Sequence, residues 1–555
     1  MRRMVLIPLL SVMAACQPGP ESPAPADVAA AISVDRIRAH MEFLADDLLE
    51  GRNTGERGYD IAANYFATQC KLMGLQPAGD NGSYFQEVPF RTSAFGSGSA
   101  RLTLNGETRE LSVPEDLAMA GSYNAQEEAA SGSMVFAGWG ISAPEFGYDD
   151  YADIDVDGKI VMLVRRGAPE RFPSDERAYY SSTSYKMQEA VRRGARGVLL
   201  VATPEYQEKY SWERLSGYFS RSGFEWIAPD GSVPNAYPEL KLYGVLSYGQ
   251  QAKLFEAAPM PLEVIVEKLD AGVSVAFDFP ATLDATRISE WEEVSSRNVA
   301  CVLPGSDPEL SGEYVLFSGH LDHVGTKADA KDGEDHIYNG AYDNAAGIAI
   351  MLEVARLYTT LPEAPKRSIL FLAVTAEEKG LLGSEYWAAH PTVPVDKVSA
   401  NVNVDMPVLT FPLADVIAYG AEHSELGDIV RTQSATQNLA LSADPWPEEV
   451  IFVRSDQYSF VKAGIPAVFL VPGFTSSDET IDGEALMRGF EDEHYHEVGD
   501  DLSLAFDRDS AKRFAAANFL VGLEVANRDM PVRWKEGDFF AKRFAGQRET
   551  VKVAP

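Results

Sequence analysis

An α/β fold, with a mostly parallel sheet flanked by helices and a β-rich region set into the chain before it, is the architecture that this 555-residue sequence predicts. Three observations carry it. From Val299 onward, apolar strand-like runs (Tyr314 to Ser318, Ile369 to Val374, Val398 to Val404, Ala467 to Val471) alternate with helical periodicity such as Ile348 to Leu357. This is the pattern of a parallel sheet covered on both faces. Residues suited to chemistry fall just after those strands, where such sheets bind ligands: His320, then Glu377 and Glu378, then Asp405. Between about residues 102 and 279 the character changes to short β-like runs separated by turn residues.

Taken in chain order, Arg2 and Arg3 precede an apolar stretch from Met4 to Ala15. A short positive region and a short apolar core predict a signal peptide over 1–15, too short to span a bilayer. Met13-Ala14-Ala15-Cys16 resembles the bacterial lipoprotein signal, in which the cysteine is lipidated, although Met13 stands where Leu is usual. The alternative is ordinary cleavage and a soluble exported protein. The Pro- and Ala-rich run that follows predicts a tether, placing a linker over 16–30. Location is thus read as exported: periplasm or outer membrane as a lipoprotein, otherwise secreted.

Val34, Ile37, Met41, Leu44 and Leu48 recur at helical spacing, and Tyr59, Ala62, Ala63, Phe66, Cys70 and Met73 form a second apolar face beyond Gly51, Gly55 and Gly58. In the middle region Val135 to Ala137, Ile160 to Val164 and Val198 to Val201 predict buried strands, with a helix over Ser184 to Arg193. No cluster of His, Cys, Asp and Glu there suggests a catalytic site, so packing, gating or partner contact is its expected role. A helix over Ser510 to Arg528 closes the last domain, and the residues beyond Met530 read as a tail. The boundaries are 31–112, 113–285, 286–530 and 531–555. A chain this long divides into more than one core.

The formal charge of −35, from 83 acidic and 48 basic residues, repels phosphate backbones and argues against a nucleic-acid partner. Beyond Cys16 only Cys70 and Cys301 remain. Their spacing is not that of a metal site, and both are read as core thiols, with pairing left open.

Five segments could carry chemistry. His320 ends a strand, with Asp322 placed to accept its second ring N–H and fix the tautomer. Asp343 stands at a helix entrance, where a carboxylate is ordinarily an N-cap but can also bridge two cations. Glu377 and Glu378 are adjacent at the end of a buried strand, costly unless each has a role. Asp405 ends the next strand. Glu493 to Glu497 holds His494 and His496 among acids. Imidazole and carboxylate together are the ligand types zinc takes. No G-x-S-x-G or H-E-x-x-H occurs, which leaves serine-hydrolase and helical single-zinc routes unsupported.

The segments His320-Leu321-Asp322, Tyr338 to Gly347, Glu377 to Ser384, Asn403-Val404-Asp405 and Tyr495-His496 resemble the motifs of the dizinc aminopeptidase family, which includes bacterial leucyl aminopeptidases and glutamate carboxypeptidase II. Tyr151 to Val161 resembles the protease-associated domain inserted in such enzymes, here over 113–285. The resemblance implies a zinc peptidase fold with two zinc ions: one on His320 and Asp405, one on Glu378 and His496, with Asp343 bridging. It implies Glu377 as general base and Tyr495 as oxyanion support. The substrates would be peptides, attacked at their N-termini. Carboxypeptidase or dipeptidase action remains the alternative, and a non-catalytic surface binder is disfavoured because it has no use for Glu377. Any membrane contact is expected only through a lipid on Cys16. Oligomeric state and side-chain preference are not legible.

Overall fold

The computed structural model describes residues 29–328, 330–331 and 333–546, with the backbone of 550 and 551. The expected signal peptide and Cys16 lie outside the described residues. Among those described, no helix is long and apolar enough to cross a membrane.

Helix α1 (Val34–Leu44) starts where the Ser33 hydroxyl accepts the Arg36 amide N–H, an N-cap, and buries Ile37, Met41 and Leu44. Leu48, expected on the same face, is 80% exposed, because α1 ends at Leu44 and the chain enters a 3₁₀ segment, Asp47–Arg52. Helix α2 (Arg57–Leu72) buries Tyr59, Ala62, Ala63, Phe66 and Cys70 as its periodicity predicts. Cys70 and Cys301 are in the core, but as a disulfide rather than as free thiols, tying α2 to the sheet.

Three strands join the two halves of the molecule: β1 (Phe85–Leu104), β2 (Glu127–Ala137) and β3 (Ala276–Leu303). β1 and β3 run antiparallel from Phe85↔Val299 to Leu104↔Ala281. Beyond β2 the sheet continues through Ile160–Val164, Gly197–Val201 and Leu242–Leu246, all mutually parallel. Helices α3 (Ser174–Ser181) and α4 (Thr183–Arg192) lie between the first two of these. The boundary expected at 285/286 therefore falls inside β3, and the two regions share one 16-stranded sheet. A single 28-residue strand has no one sequence period, because its burial alternates up to Ser289, is lost over 290–295 and is continuous only over 298–301.

In the second half, β4 (Tyr314–His320), β5 (Ser368–Val374), β6 (Val398–Asn403), β7 (Asp415–Tyr419) and β8 (Ala467–Pro472) take the order β7-β8-β6-β4-β5-β3. The β8-β6-β4-β5 core is parallel, and β3 and β7 pair antiparallel at its flanks. Helices α5 (Ala346–Thr360), α6 (Gly483–Glu493) and α7 (Arg508–Asn527) follow, α5 and α7 being buried over most of their length. The expected tail is not one up to residue 546: Trp534 is buried and its indole donates to the Gly464 carbonyl at 3.1 Å, while helix α8 (Phe539–Phe544) buries Phe540 and Ala541.

Candidate metal centre

The carboxyl ends of β4, β5 and β6 converge as the parallel topology requires. His320 is the last residue of β4, Glu377 and Glu378 follow β5 by three and four residues, and Asp405 follows β6 by two. His320 Nε2 lies 2.9 Å from Asp405 Oδ1 and 3.1 Å from Asp343 Oδ1. The other oxygen of Asp343, Oδ2, lies 3.1 Å from His496 Nε2, which is 2.9 Å from Glu378 Oε2. All five expected ligands thus form two donor groups that share Asp343, one oxygen facing each. Imidazole nitrogens and carboxylate oxygens aimed at one another in a buried pocket are the donor set a divalent cation of zinc type requires.

His323 belongs to the same cluster and was not anticipated. Its Nδ1 is 2.7 Å from Glu378 Oε1 and 3.9 Å from Asp343 Oδ2, and its buried Nε2 has no hydrogen-bond partner. The sequence did carry a signal: a second histidine three residues after His320, in a chain with only eight.

Asp322 departs from expectation. His320 Nδ1 bonds the Asp322 backbone carbonyl at 3.1 Å, while the nearer carboxylate oxygen is 4.0 Å away. The carboxylate turns instead to the loop after β5, accepting the amide N–H of Glu377 (3.2 Å) and Glu378 (3.3 Å) and the Thr54 hydroxyl (3.1 Å). The residue still fixes the histidine tautomer, through its main chain, and its side chain positions the two glutamates.

Other buried groups hold the ligands. Asp500 accepts the amides of Tyr342 and Asp343 at 2.9 and 3.0 Å, and Ser455 donates to Asp405 Oδ2 at 2.6 Å. Arg52 is fully buried and donates to the carbonyls of Leu44, Leu321, Asn339 and Gly340, pinning the loops that carry His320 and Asp343. Gly340 has φ +57°, and a Cβ there would lie 2.2 Å from the Asp343 carbonyl and 2.6 Å from the His323 ring. Three non-glycine residues at or beside the ligands also take left-handed backbone: Ala376 (φ 55°), Met406 (φ 40°) and His496 (φ 56°). Such strain persists where the surroundings over-determine it, characteristically at functional sites.

The two glutamates differ electrostatically. Burial and the neighbouring Asp343 oppose charge on Glu378, yet hydrogen bonds from His323 and His496 hold it at about 2. Burial pushes Glu377 well above the ordinary carboxylate range; His320 opposes this, while Glu378, Asp405 and Asp456 add to it. The Tyr495 ring stacks on His496 with centroids 4.0 Å apart. Glu377 and Tyr495 line the polar end of a pocket otherwise walled by Trp446, Val471, Phe474, Met487 and Phe490. Glu449, Glu491 and Arg454 also face it, with Arg454 Nη1 3.4 Å from Glu449 Oε2.

Fold and site together resemble those of the zinc metallopeptidases. Residues 298–521 match the model of peptidase family M28, so the chain contains an M28 domain. A solved aminopeptidase from Aneurinibacillus sp. strain AM-1 has the same fold: 17% identity, TM-score 0.51, covering 92% of this chain and 97% of that one. The probable leucine aminopeptidase 2 of Aspergillus oryzae is 28% identical over 225 residues, 39% of this chain and 42% of that protein. A probable zinc metalloprotease of Pyrenophora teres f. teres is 34% identical over 114 residues, 20% of this chain and 23% of that protein. This chain spans about a quarter of the length of that relative.

Proposed function

We propose that this protein is an exported dizinc aminopeptidase that removes N-terminal residues from peptides. The observation that carries the reading is Asp343, whose two oxygens face separate donor groups, His320 with Asp405 and His496 with Glu378. Two zinc ions bound there would supply Lewis acidity and a nucleophilic water at neutral pH.

The remaining roles belong to the chain. Glu377, half-buried at the polar end of the pocket, takes the proton from the attacking water and returns it to the leaving amine. Tyr495 donates toward the developing oxyanion. The pocket receives the side chain of the N-terminal residue, and Glu449 and Glu491 supply negative charge for its free amine. Arg454 favours a second reading, in which a substrate carboxylate is held and the enzyme acts as a carboxypeptidase or dipeptidase; its pairing with Glu449 argues for the first. Export and lipidation at Cys16 rest on the N-terminal sequence alone.

A chromogenic panel of aminoacyl, N-blocked and C-terminal peptide substrates, with and without chelator, tests the reading. Chelator-sensitive cleavage of free aminoacyl substrates supports it. Turnover confined to N-blocked substrates overturns the aminopeptidase assignment.

A further inference from the structure

A second group of histidine and carboxylate side chains converges away from the M28 site. His423 ends the 3₁₀ turn Ala421–His423 that follows β7. Its ring is 6% exposed and packed between Phe452 and Phe540. Nε2 lies 2.8 Å from Asp175 Oδ2, and Nδ1 lies 2.7 Å from Asp538 Oδ2. Asp175, Glu422 and His423 each present a ligand atom within 4.8 Å of the others.

The group is assembled from three distant segments. Asp175 lies in the first turn of α3, in the region where the sequence suggested no such cluster. Glu422 and His423 belong to the M28 domain, and Asp538 is the N-cap of α8, its Oδ1 accepting the Ala541 amide at 2.9 Å. Asp538 is therefore fixed by its helix and orients the imidazole through Nδ1, which leaves Nε2 directed at Asp175. A carboxylate on one ring nitrogen and a cation on the other is a recurrent arrangement at metal-binding histidines. The 2.8 Å approach of Nε2 to a carboxylate repeats what His320 and His496 do in the M28 site, where both approaches are 2.9 Å.

Charge points the same way. Glu176 and Glu422 feel the His423 charge, and Asp175 and Asp538 bond its ring, so four carboxylates bear on one imidazole. A single imidazolium leaves most of that negative charge unbalanced beside aromatic walls, whereas a divalent cation offsets two units at once. One histidine, two carboxylates and a solvent position complete a four-coordinate zinc-type set.

We propose that Asp175, Glu422 and His423 bind a divalent cation of zinc type, a structural site that fastens α3 and α8 to the M28 domain. A metal held only in the folded state stabilises it by mass action.

The test uses the full chain in an Asp343→Ala background, which weakens the M28 site, and compares it with Asp343→Ala/Glu422→Gln and Asp343→Ala/Asp175→Asn. Glu422 is exposed, so Glu422→Gln leaves packing intact, and circular dichroism checks folding. Chelator-stripped protein is titrated with zinc chloride, reading bound zinc by mass spectrometry and the thermal midpoint. Each double variant should hold one zinc equivalent fewer than the Asp343→Ala parent, and its midpoint should no longer rise with zinc. If parent and double variants bind the same zinc with the same midpoint response, the proposal falls, and His423 is an imidazolium clamped between two aspartates. Because the readout is a difference against a common parent, it stands whether or not the M28 site is catalytic.

Discussion

The middle region and the M28 site both bury charge, and they resolve it in opposite ways. Asp150 accepts from the Tyr148 hydroxyl (2.7 Å), the Ser274 hydroxyl (2.8 Å) and the Ile141 amide (3.1 Å). Lys186, also fully buried, donates to the carbonyls of Val164, Arg166 and Gly167 at 2.9–3.1 Å. Asp150 and Lys186 thus each meet their complement within the same region, which is how a stable interior tolerates polarity. In the M28 site carboxylates face carboxylates and imidazoles, and His323 Nε2 has no partner. Closed hydrogen-bonding marks structure; carboxylates and imidazoles that converge on one another form a donor set suited to cations.

The sharpest break in that comparison is removal of the shared ligand. Asp343→Ala should empty both donor groups, so that zinc in the M28 site and peptidase activity both fall to the level of the chelated enzyme, read by metal analysis and aminoacyl hydrolysis. An Asp343→Ala protein with full activity would sink the bridging role.

Next in size is the division of labour between adjacent glutamates. Glu377→Gln should keep zinc while kcat falls about 10²–10⁴-fold, the usual scale for general acid–base catalysis. Glu378→Gln should lose zinc, since an amide cannot accept as the carboxylate does from His323 and His496. Inverted results for metal content would reverse the assignment.

Part of this contrast was legible in the sequence. His320, Glu377, Glu378 and Asp405 stood out because a parallel sheet places strand ends together, so position along a strand predicts position in space. Arg52 did not stand out, because its partners are carbonyls, several of them 269–288 residues away, which no side-chain pattern encodes. The Asp322 error has a similar origin: spacing puts a carboxylate near a ring but does not say which oxygen arrives first. The apolar residues of 531–546 do carry a signal against a tail, since Trp534 and Phe540 are costly to leave in water.

A smaller effect probes the middle region. Lys186→Met removes the ammonium that donates to three inward carbonyls, at a cost of about 1–3 kcal/mol. The urea midpoint should fall, while kcat/KM at temperatures where the variant is folded stays at the parent value. A loss of kcat/KM in folded variant would mean that this interior is coupled to the site.

The smallest effect lies at the seam between the two regions, where Glu225 faces Glu385 of the M28 domain. The Asn235 amide donates to both, at 3.3 and 2.7 Å, and Lys462 pairs with Glu385 at 3.1 Å. Burial, and then the Glu385 charge, push Glu225 from an ordinary 4.5 to about 8. The folded state therefore favours protonated Glu225. Its contribution is fully present below about pH 4.5 and is lost as pH rises toward 8, because the unfolded chain ionises first. Glu225→Gln is a neutral isostere that cannot ionise, so it should match the parent near pH 4.5 and exceed it in stability near pH 8. Urea midpoints measured across that range give the answer: curves that converge at the acid end and separate at the alkaline end support a protonated seam. Parallel curves would mean that Glu225 ionises freely, and that the two regions meet there through water rather than through a shared proton.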